Sequence, residues 1–282
     1  MKLREDGLKF PIYHAVIVML FAVGLVSLPY EKIFESLIAD EVIRYYISQS
    51  LPRLIVSVVA VVLIVKYKFT APFKNFSKKG IVVAIVSLIV CVNNFPIIGV
   101  ITGNVKIIAN LGQILSFILY CLSIGVFEEI VFRGIVFPLC YIKLKDKKHG
   151  LFFSVALSSA LFGLIHLVNL FGGMGIGACI LQVGYSFLIG AMCAISLIYT
   201  KNIFIAILLH AVYDVGGTLL RATGESAIAF GVQWDVATII ITAVLGVICA
   251  IYLLIKLLRA DDSWLKKAYL ESEQVESEGD KA

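Results

Sequence analysis

Eight stretches of this chain are apolar for about the length a helix needs to cross a bilayer, roughly 17–25 residues, and they dictate most of what the chain can become. They fall at residues 11–29, 52–66, 81–102, 107–128 with an extension to 142, 150–170, 178–199, 203–220 and 236–258. Hydrocarbon offers no partner to backbone N–H and C=O groups, so such stretches have to satisfy them internally, as helices. Composition agrees, because 60% of the 282 residues are hydrophobic and the mean hydropathy is +0.99. The predicted fold class is therefore an all-α polytopic membrane protein with about eight transmembrane helices, placed in the cell membrane.

Lysine and arginine orient those helices. If the N-terminus is cytoplasmic, 18 of the 24 basic residues fall on the inside and five, Lys32, Arg44, Arg53, Lys106 and Arg221, on the outside, with Arg133 left within a span. This bias predicts that both termini are cytoplasmic. It also accounts for the net charge of +5 without a nucleic-acid partner; the partner that it implies is the lipid bilayer. All six cysteines stand inside apolar runs without metal-type spacing and read as small hydrophobes, not as a disulfide framework. The first apolar segment lacks a small-x-small cleavage site and reads as a retained helix.

Between the spans, residues 30–50 have Ile33, Phe34, Leu37, Ile38 and Val42 at near-helical spacing, which predicts an amphipathic surface helix or an extension of the first span. Asn93, Asn94 and Pro96 predict a break in the third. Ser186, Gly190 and Ala194 recur every four residues and predict close helix contact, and Gly163, Gly216 and Gly217 read as packing or flexibility positions. The chain divides into N-terminal helices (1–106), a core (107–220), a last helix (221–260) and a charged cytoplasmic tail (261–282) that reads as a partly helical appendage.

Within the core, Phe127 to Gly134 places two carboxylates and a guanidinium in an apolar run. A charge near the centre of a membrane helix costs about 2.5–3.5 kcal/mol, so these three are paired, functional or both. Glu129 and Arg133 have the i, i+4 spacing and order of a helical ion pair. Glu128 then lies about 100° around the helix, less compensated and a candidate general base. The other ionisable residues deep in the spans are His166, His210 and Asp214. At about 1.5 Å of rise per residue, Glu128 lies roughly 22 Å before the Lys143 loop and His166 roughly 24 Å beyond Gly150, while His210 and Asp214 come roughly 13 and 20 Å from Lys201. Three spans can therefore bring carboxylates and imidazoles to one internal site. Taken singly, His166 is more simply a hydrogen-bonded helix contact, and His210 with Asp214 a structural pair.

Glu128-Glu129-x-x-x-Arg133, Phe162-x-x-x-His166 and His210-x-x-x-Asp214, in that order and on separate spans, resemble the three motifs of the CPBP intramembrane proteases, also called the CAAX protease and bacteriocin-processing or Abi family. The resemblance covers about residues 107 to 220. It implies a glutamate-type endopeptidase in which Glu128 is the general base and His166 helps to position and activate water. His210 and the residue at 214 would stabilise the oxyanion, while Glu129 and Arg133 hold the site, with Phe162 in its support. The prenyl-protein branch has Asn where this chain has Asp214. An ionised Asp repels an oxyanion, so Asp214 is expected to accept from His210 and set its tautomer.

Two histidines and several carboxylates also match a zinc-like donor set, and the family was once described as metalloproteases. No HExxH-type motif is present, and the resemblance implies a metal-independent reaction, so no cofactor is expected. The implied substrates are membrane-associated or prenylated peptides. Bacterial members are associated with bacteriocin or pheromone processing and with self-immunity. A non-enzymatic bacteriocin-immunity or scaffold protein is the alternative, disfavoured by the intact Glu, His, His set. A proton-coupled transporter is disfavoured by the lack of paired broken helices.

Overall fold

Each of the eight apolar stretches forms helix in the computed structural model, which describes residues 9–101, 103, 105–226 and 236–270. The main helices are α1 (Pro11–Val26), α2 (Glu41–Tyr67), α3 (Ile81–Asn93), α4 (Leu111–Val131), α5 (Phe137–Leu144), α6 (Gly150–Ile165), α7 (Ile176–Thr200), α8 (Ile203–Thr223), α9 (Val236–Leu258) and α10 (Ser263–Tyr269). Among the described residues, six helical segments are long and apolar enough to cross a membrane. The third and seventh of the expected spans are shorter: the 13-residue α3, and Ile203–Leu219 within α8. One three-residue antiparallel ladder, Val105–Ile107 with Gly224–Ser226, ties the approach to α4 to the end of α8.

Polarity is inverted relative to a water-soluble bundle. Leu20, Phe21, Ile55, Val58, Leu188 and Val247 are exposed, whereas Glu129, Arg133 and His210 are buried, an arrangement that suits a hydrocarbon surround. Buried hydroxyls donate back along their own helices, as Ser57 Oγ does to the Arg53 carbonyl (2.7 Å) and Ser154 Oγ to that of Gly150 (2.6 Å).

The polar stretch 30–50 is not one surface helix; its first residues extend the first spanning segment, which runs Pro11–Phe34, the other reading given above. Only Glu31–Phe34 forms a short helix there, and residues 41–50 instead belong to α2, which runs through Pro52 as one helix of 27 residues. Its start is set by Asp40, whose carboxylate accepts from the Val42 and Ile43 N–H groups at 2.9 and 3.0 Å. Those contacts, chiefly that of Ile43, hold the Asp40 carboxyl below its ordinary range. Asn110 and Gln113 form a capping box at the start of α4, and Gln113 Nε2 also donates to Asp40 Oδ2 at 3.1 Å, pinning the two helix starts together. Arg53, counted above as an outer loop residue, consequently stands well inside a spanning helix.

The predicted break after Asn93 is present, and its residues serve neighbouring backbones. Asn94 Nδ2 donates to the Tyr213 carbonyl (2.9 Å) and Asn93 Nδ2 to that of Thr242 (3.1 Å). The tail is helical over part of its described length, as expected, but it packs on the core instead of standing apart as an appendage. Helix α10 packs Leu265 and Tyr269 into the core, with Tyr269 edge-on to Phe69 and Asp262 accepting from the Tyr141 hydroxyl (2.9 Å). Residues 271–282 lie outside the described residues.

Helices α4 and α8 approach closely at Gly125, where an added Cβ would stand 2.8 Å from the Ile207 carbonyl and 3.1 Å from the Ala211 N. The contact lies one turn before Glu128 and Glu129 and brackets His210. Replacing Gly125 with Leu is expected to destabilise the protein by about 1–3 kcal/mol through overpacking. Thermal unfolding in detergent should show a lowered midpoint, and an unchanged midpoint would contradict this crossing.

Candidate active site

Glu128 and Glu129 lie in the last turn of α4, immediately before a π-helical turn, Phe132–Val136, whose five residues are all buried. Pro138 follows, and its missing N–H leaves the Gly134 carbonyl without the donor that an α-helix would supply. The wider turn instead closes from the Phe137 N–H to the Phe132 carbonyl, the i+5 pattern of a π-bulge. Arg133 sits in this turn, 2% exposed.

From there its guanidinium makes three contacts. Nη1 lies 2.9 Å from Glu129 Oε1, an ionic approach without hydrogen-bond alignment. Nη2 donates to the Gly190 carbonyl at 2.8 Å, and the plane covers the Phe162 ring at 4.7 Å from its centroid. Gly190 belongs to the small-residue stripe of α7. A Cβ there would stand 3.0 Å from Phe162 and 3.2 Å from Arg133 Nη2, so the bare backbone is what admits the guanidinium. Phe162 in turn meets Phe132, His166 and His210 edge to face, with centroids 4.9, 5.2 and 5.7 Å away.

Glu129 is fully buried, and its Oε1 also accepts from His210 Nδ1 at 2.6 Å. Since a carboxylate oxygen only accepts, Nδ1 carries the proton, and Nε2 is left to face Glu128 Oε2 at 3.4 Å and Asp214 Oδ2 at 3.8 Å. The expectation for Asp214 therefore changes. Glu129, not Asp214, sets the His210 tautomer, because Asp214 lies beyond hydrogen-bond reach and on the side of the other ring nitrogen. Asp214 Oδ2 and Glu129 Oε2 are buried with no hydrogen-bond partner among the described residues.

His166, at the junction of α6 with the 3-10 turn His166–Leu170, has Nδ1 2.9 Å from the Phe162 carbonyl. Nδ1 is thereby the donor and Nε2 the acceptor. His166, Glu128, Phe162, His210 and Asp214 line one cavity of about 370 Å³. Ser27, Asn169, Met174 and Thr218 also line it, so it lies toward the end of the bundle where α1 and α8 finish and α2, α4 and α7 begin.

Three cavity features were not singled out from sequence. Arg53 lines it, with its guanidinium 5.4 Å from the centroid of Tyr120 and Nη1 donating to the Gln49 backbone and side-chain oxygens at 2.5 and 3.0 Å. Asn169 donates to Gln182 across the same space at 2.8 Å. The helix that begins at Glu41 and continues through Pro52 puts Arg53 there, whereas the expected span 52–66 left it at the outer end.

Among the described residues, Glu129, Cys193 and His210 have donor atoms within 4.8 Å of one another. They do not fit a divalent cation. Nδ1 and Oε1 at 2.6 Å are in direct hydrogen-bond contact, whereas ligands of tetrahedral zinc, about 2.0–2.2 Å from the metal, stand roughly 3.4 Å apart. The Arg133 guanidinium also occupies the same carboxylate oxygen.

Removing one partner of a buried ion pair strands the other. Arg133→Met is expected to cost about 3–5 kcal/mol, and combining it with Glu129→Gln to recover part of that loss. Unfolding of the two single variants and the double variant in detergent measures the coupling. Additive losses would contradict the pairing.

The family model described as type II CAAX prenyl endopeptidase Rce1-like matches residues 110–216. No curated protein and no solved structure matches the chain. The matched segment holds Glu128, Glu129, Arg133, Phe162, His166, His210 and Asp214, and leaves out Arg53. Residues 110–216 are thus similar to the type II CAAX prenyl endopeptidases of the Rce1-like kind, in a chain whose described residues include six helical segments long and apolar enough to cross a membrane.

Proposed function

We propose that the protein hydrolyses peptide bonds of membrane-associated substrates by direct attack of a water activated by Glu128. One observation carries this reading: of the two adjacent carboxylates, Glu129 is consumed by Arg133 and His210, while Glu128 is turned to the cavity that it shares with His166. A water between Glu128 and His166 would give its proton to the carboxylate while donating to His166 Nε2, the nitrogen left as acceptor. The hydroxide formed adds to the carbonyl carbon. Glu128 then returns the proton to the departing amine nitrogen, which leaves the carboxyl product and the enzyme unchanged.

His210 Nε2 is the group suited to the oxyanion. Glu128, Glu129 and Asp214 face two guanidiniums, Arg53 and Arg133, and His210 protonated on both nitrogens would bring that set to electrical balance. Its Nε2–H would then point at the developing charge with Asp214 behind it. An apolar groove of about 560 Å³ between α3, α6, α7 and α9 shares Tyr185, Ile189 and Tyr213 with the polar cavity. That adjacency supports substrates with a lipid-embedded portion, such as the prenylated tails that the family description names.

Glu128→Gln keeps size and hydrogen bonding but cannot take the proton. It should lower turnover of a membrane-peptide substrate about 100-fold or more, in the range of general-base contributions, while detergent unfolding stays near that of the native protein. Undiminished turnover would overturn the role given to Glu128.

A further inference from the structure

Asn169 and Gln182 both line the polar cavity, and the proposed hydrolysis gives them no part. Asn169 stands three residues after His166 in the 3-10 turn His166–Leu170. Side chains at i and i+3 of such a turn eclipse, so the imidazole and the amide lie side by side on the cavity wall. Asn169 Nδ2 donates to Gln182 Oε1 of α7 at 2.8 Å, while the Asn169 carbonyl accepts from the Gly172 and Met174 N–H groups, each at 3.1 Å. One residue thus fastens the turn to α7 and closes the loop behind it.

The turn has little else to hold it. Helix α6 is pressed onto α7 at Gly163, where a Cβ would stand 2.7 Å from the Val183 carbonyl, but α6 ends at Ile165, before His166. The His166 ring bonds to its own helix, through the Phe162 carbonyl, which orients the ring without fixing the turn on its neighbours. The Cys179 thiol, 3.5 Å from the His166 carbonyl, is a weak donor. Beyond the turn, Phe171 is 94% exposed, and a Cβ on Gly173 or Gly175 would meet nothing within 4 Å.

We infer that Asn169 is a positioning residue for His166: its amide bond to Gln182 fixes the 3-10 turn on α7 and so sets how far His166 Nε2 stands from Glu128, across the place where the attacking water is held. The inference rests on the hydrolytic reading of the site and adds two residues which that reading does not use. Losing one neutral hydrogen bond is small against the stability of the whole bundle, whereas a displacement of about 1 Å beside a reacting centre lowers turnover on the order of 100-fold. Leucine at 169 or methionine at 182 fills nearly the same space without the bond, so the fold is expected to survive while the turn loosens. Combined length matters as well as polarity, because the two side chains together bridge from the turn to α7.

The test uses the full-length protein in lipid nanodiscs and one lipidated fluorogenic peptide, chosen from a randomised mixture as one that the native protein cleaves. Asn169→Leu and Gln182→Met should each lower kcat about 10- to 100-fold with KM little changed, and the double variant should be no worse than either alone. Exchanging the two residues, Asn169→Gln with Gln182→Asn, keeps the bond and the combined length and should restore most of the turnover that either exchange alone removes. In a His166→Ala background Asn169→Leu should cost nothing further, since it acts through His166. Amide hydrogen exchange should quicken over residues 166–175 in Asn169→Leu and nowhere else. A kcat unchanged by Asn169→Leu, an effect on KM alone, an equal fractional loss in the His166→Ala background, or an exchanged pair that restores nothing would each overturn the role of Asn169 and leave hydrolysis standing. If the native protein cleaves no member of the mixture, the hydrolytic reading falls and this inference with it.

Discussion

The contact on which the site depends is the one between Arg133, Glu129 and His210. A carboxylate with no exposure to solvent is tolerable in a membrane bundle only if its charge is met, and here one oxygen receives both a guanidinium at 2.9 Å and an imidazole N–H at 2.6 Å. The chain links α4, the π-turn and α8 through side chains, and reaches α7 through the Gly190 carbonyl. Once it is in place, the His210 ring is held by its Nδ1–H on Glu129, and Glu128 is left facing the cavity instead of Arg133. The division of labour between two adjacent glutamates follows from which one the π-turn aims at Arg133.

Helix geometry serves the same end. Gly125 brings α4 and α8 to van der Waals distance beside the polar residues, and Gly190 lets a guanidinium lie against α7 backbone. Phe162 fills the centre, covered by Arg133 on its face and touched edge-on by both histidines. Rings in edge-to-face contact limit the freedom of each imidazole, so orientation is supplied by packing as well as by hydrogen bonds. Ser57, Ser154 and the asparagines after α3 spend their donors on helix carbonyls, while Asp214 Oδ2 in the cavity has no hydrogen-bond partner among the described residues.

Much of this was legible in residues alone. Span-length apolar runs gave the helices, since only internally bonded backbone survives in hydrocarbon, and the i, i+4 spacing of Glu129 and Arg133 gave their pairing. The break at Asn93–Asn94 was visible, but not that both amides would bind carbonyls of other helices, a tertiary matter. Three features were hidden. The π-turn depends on how Pro138 and its packing share the lost backbone bond, which no periodicity records. The tautomer of His210 is set by a glutamate 81 residues away, whereas spacing suggested Asp214, its own helical neighbour. Arg53 was hidden because it stood at the very start of the expected span 52–66 and was counted with the outer residues, whereas α2 begins at Glu41 and carries it inward.

The central claim is that water held by Glu128 attacks the peptide carbonyl directly, with Glu128 only lending and returning a proton. A single turnover in heavy-oxygen water, with enzyme in excess over a lipidated peptide, tests this most directly. Direct attack predicts one heavy oxygen in the new C-terminal carboxylate of the product and none in the enzyme peptide that contains Glu128. An unlabelled product carboxylate with heavy oxygen in that enzyme peptide would mean that Glu128 had formed an anhydride with the substrate, and would contradict the account.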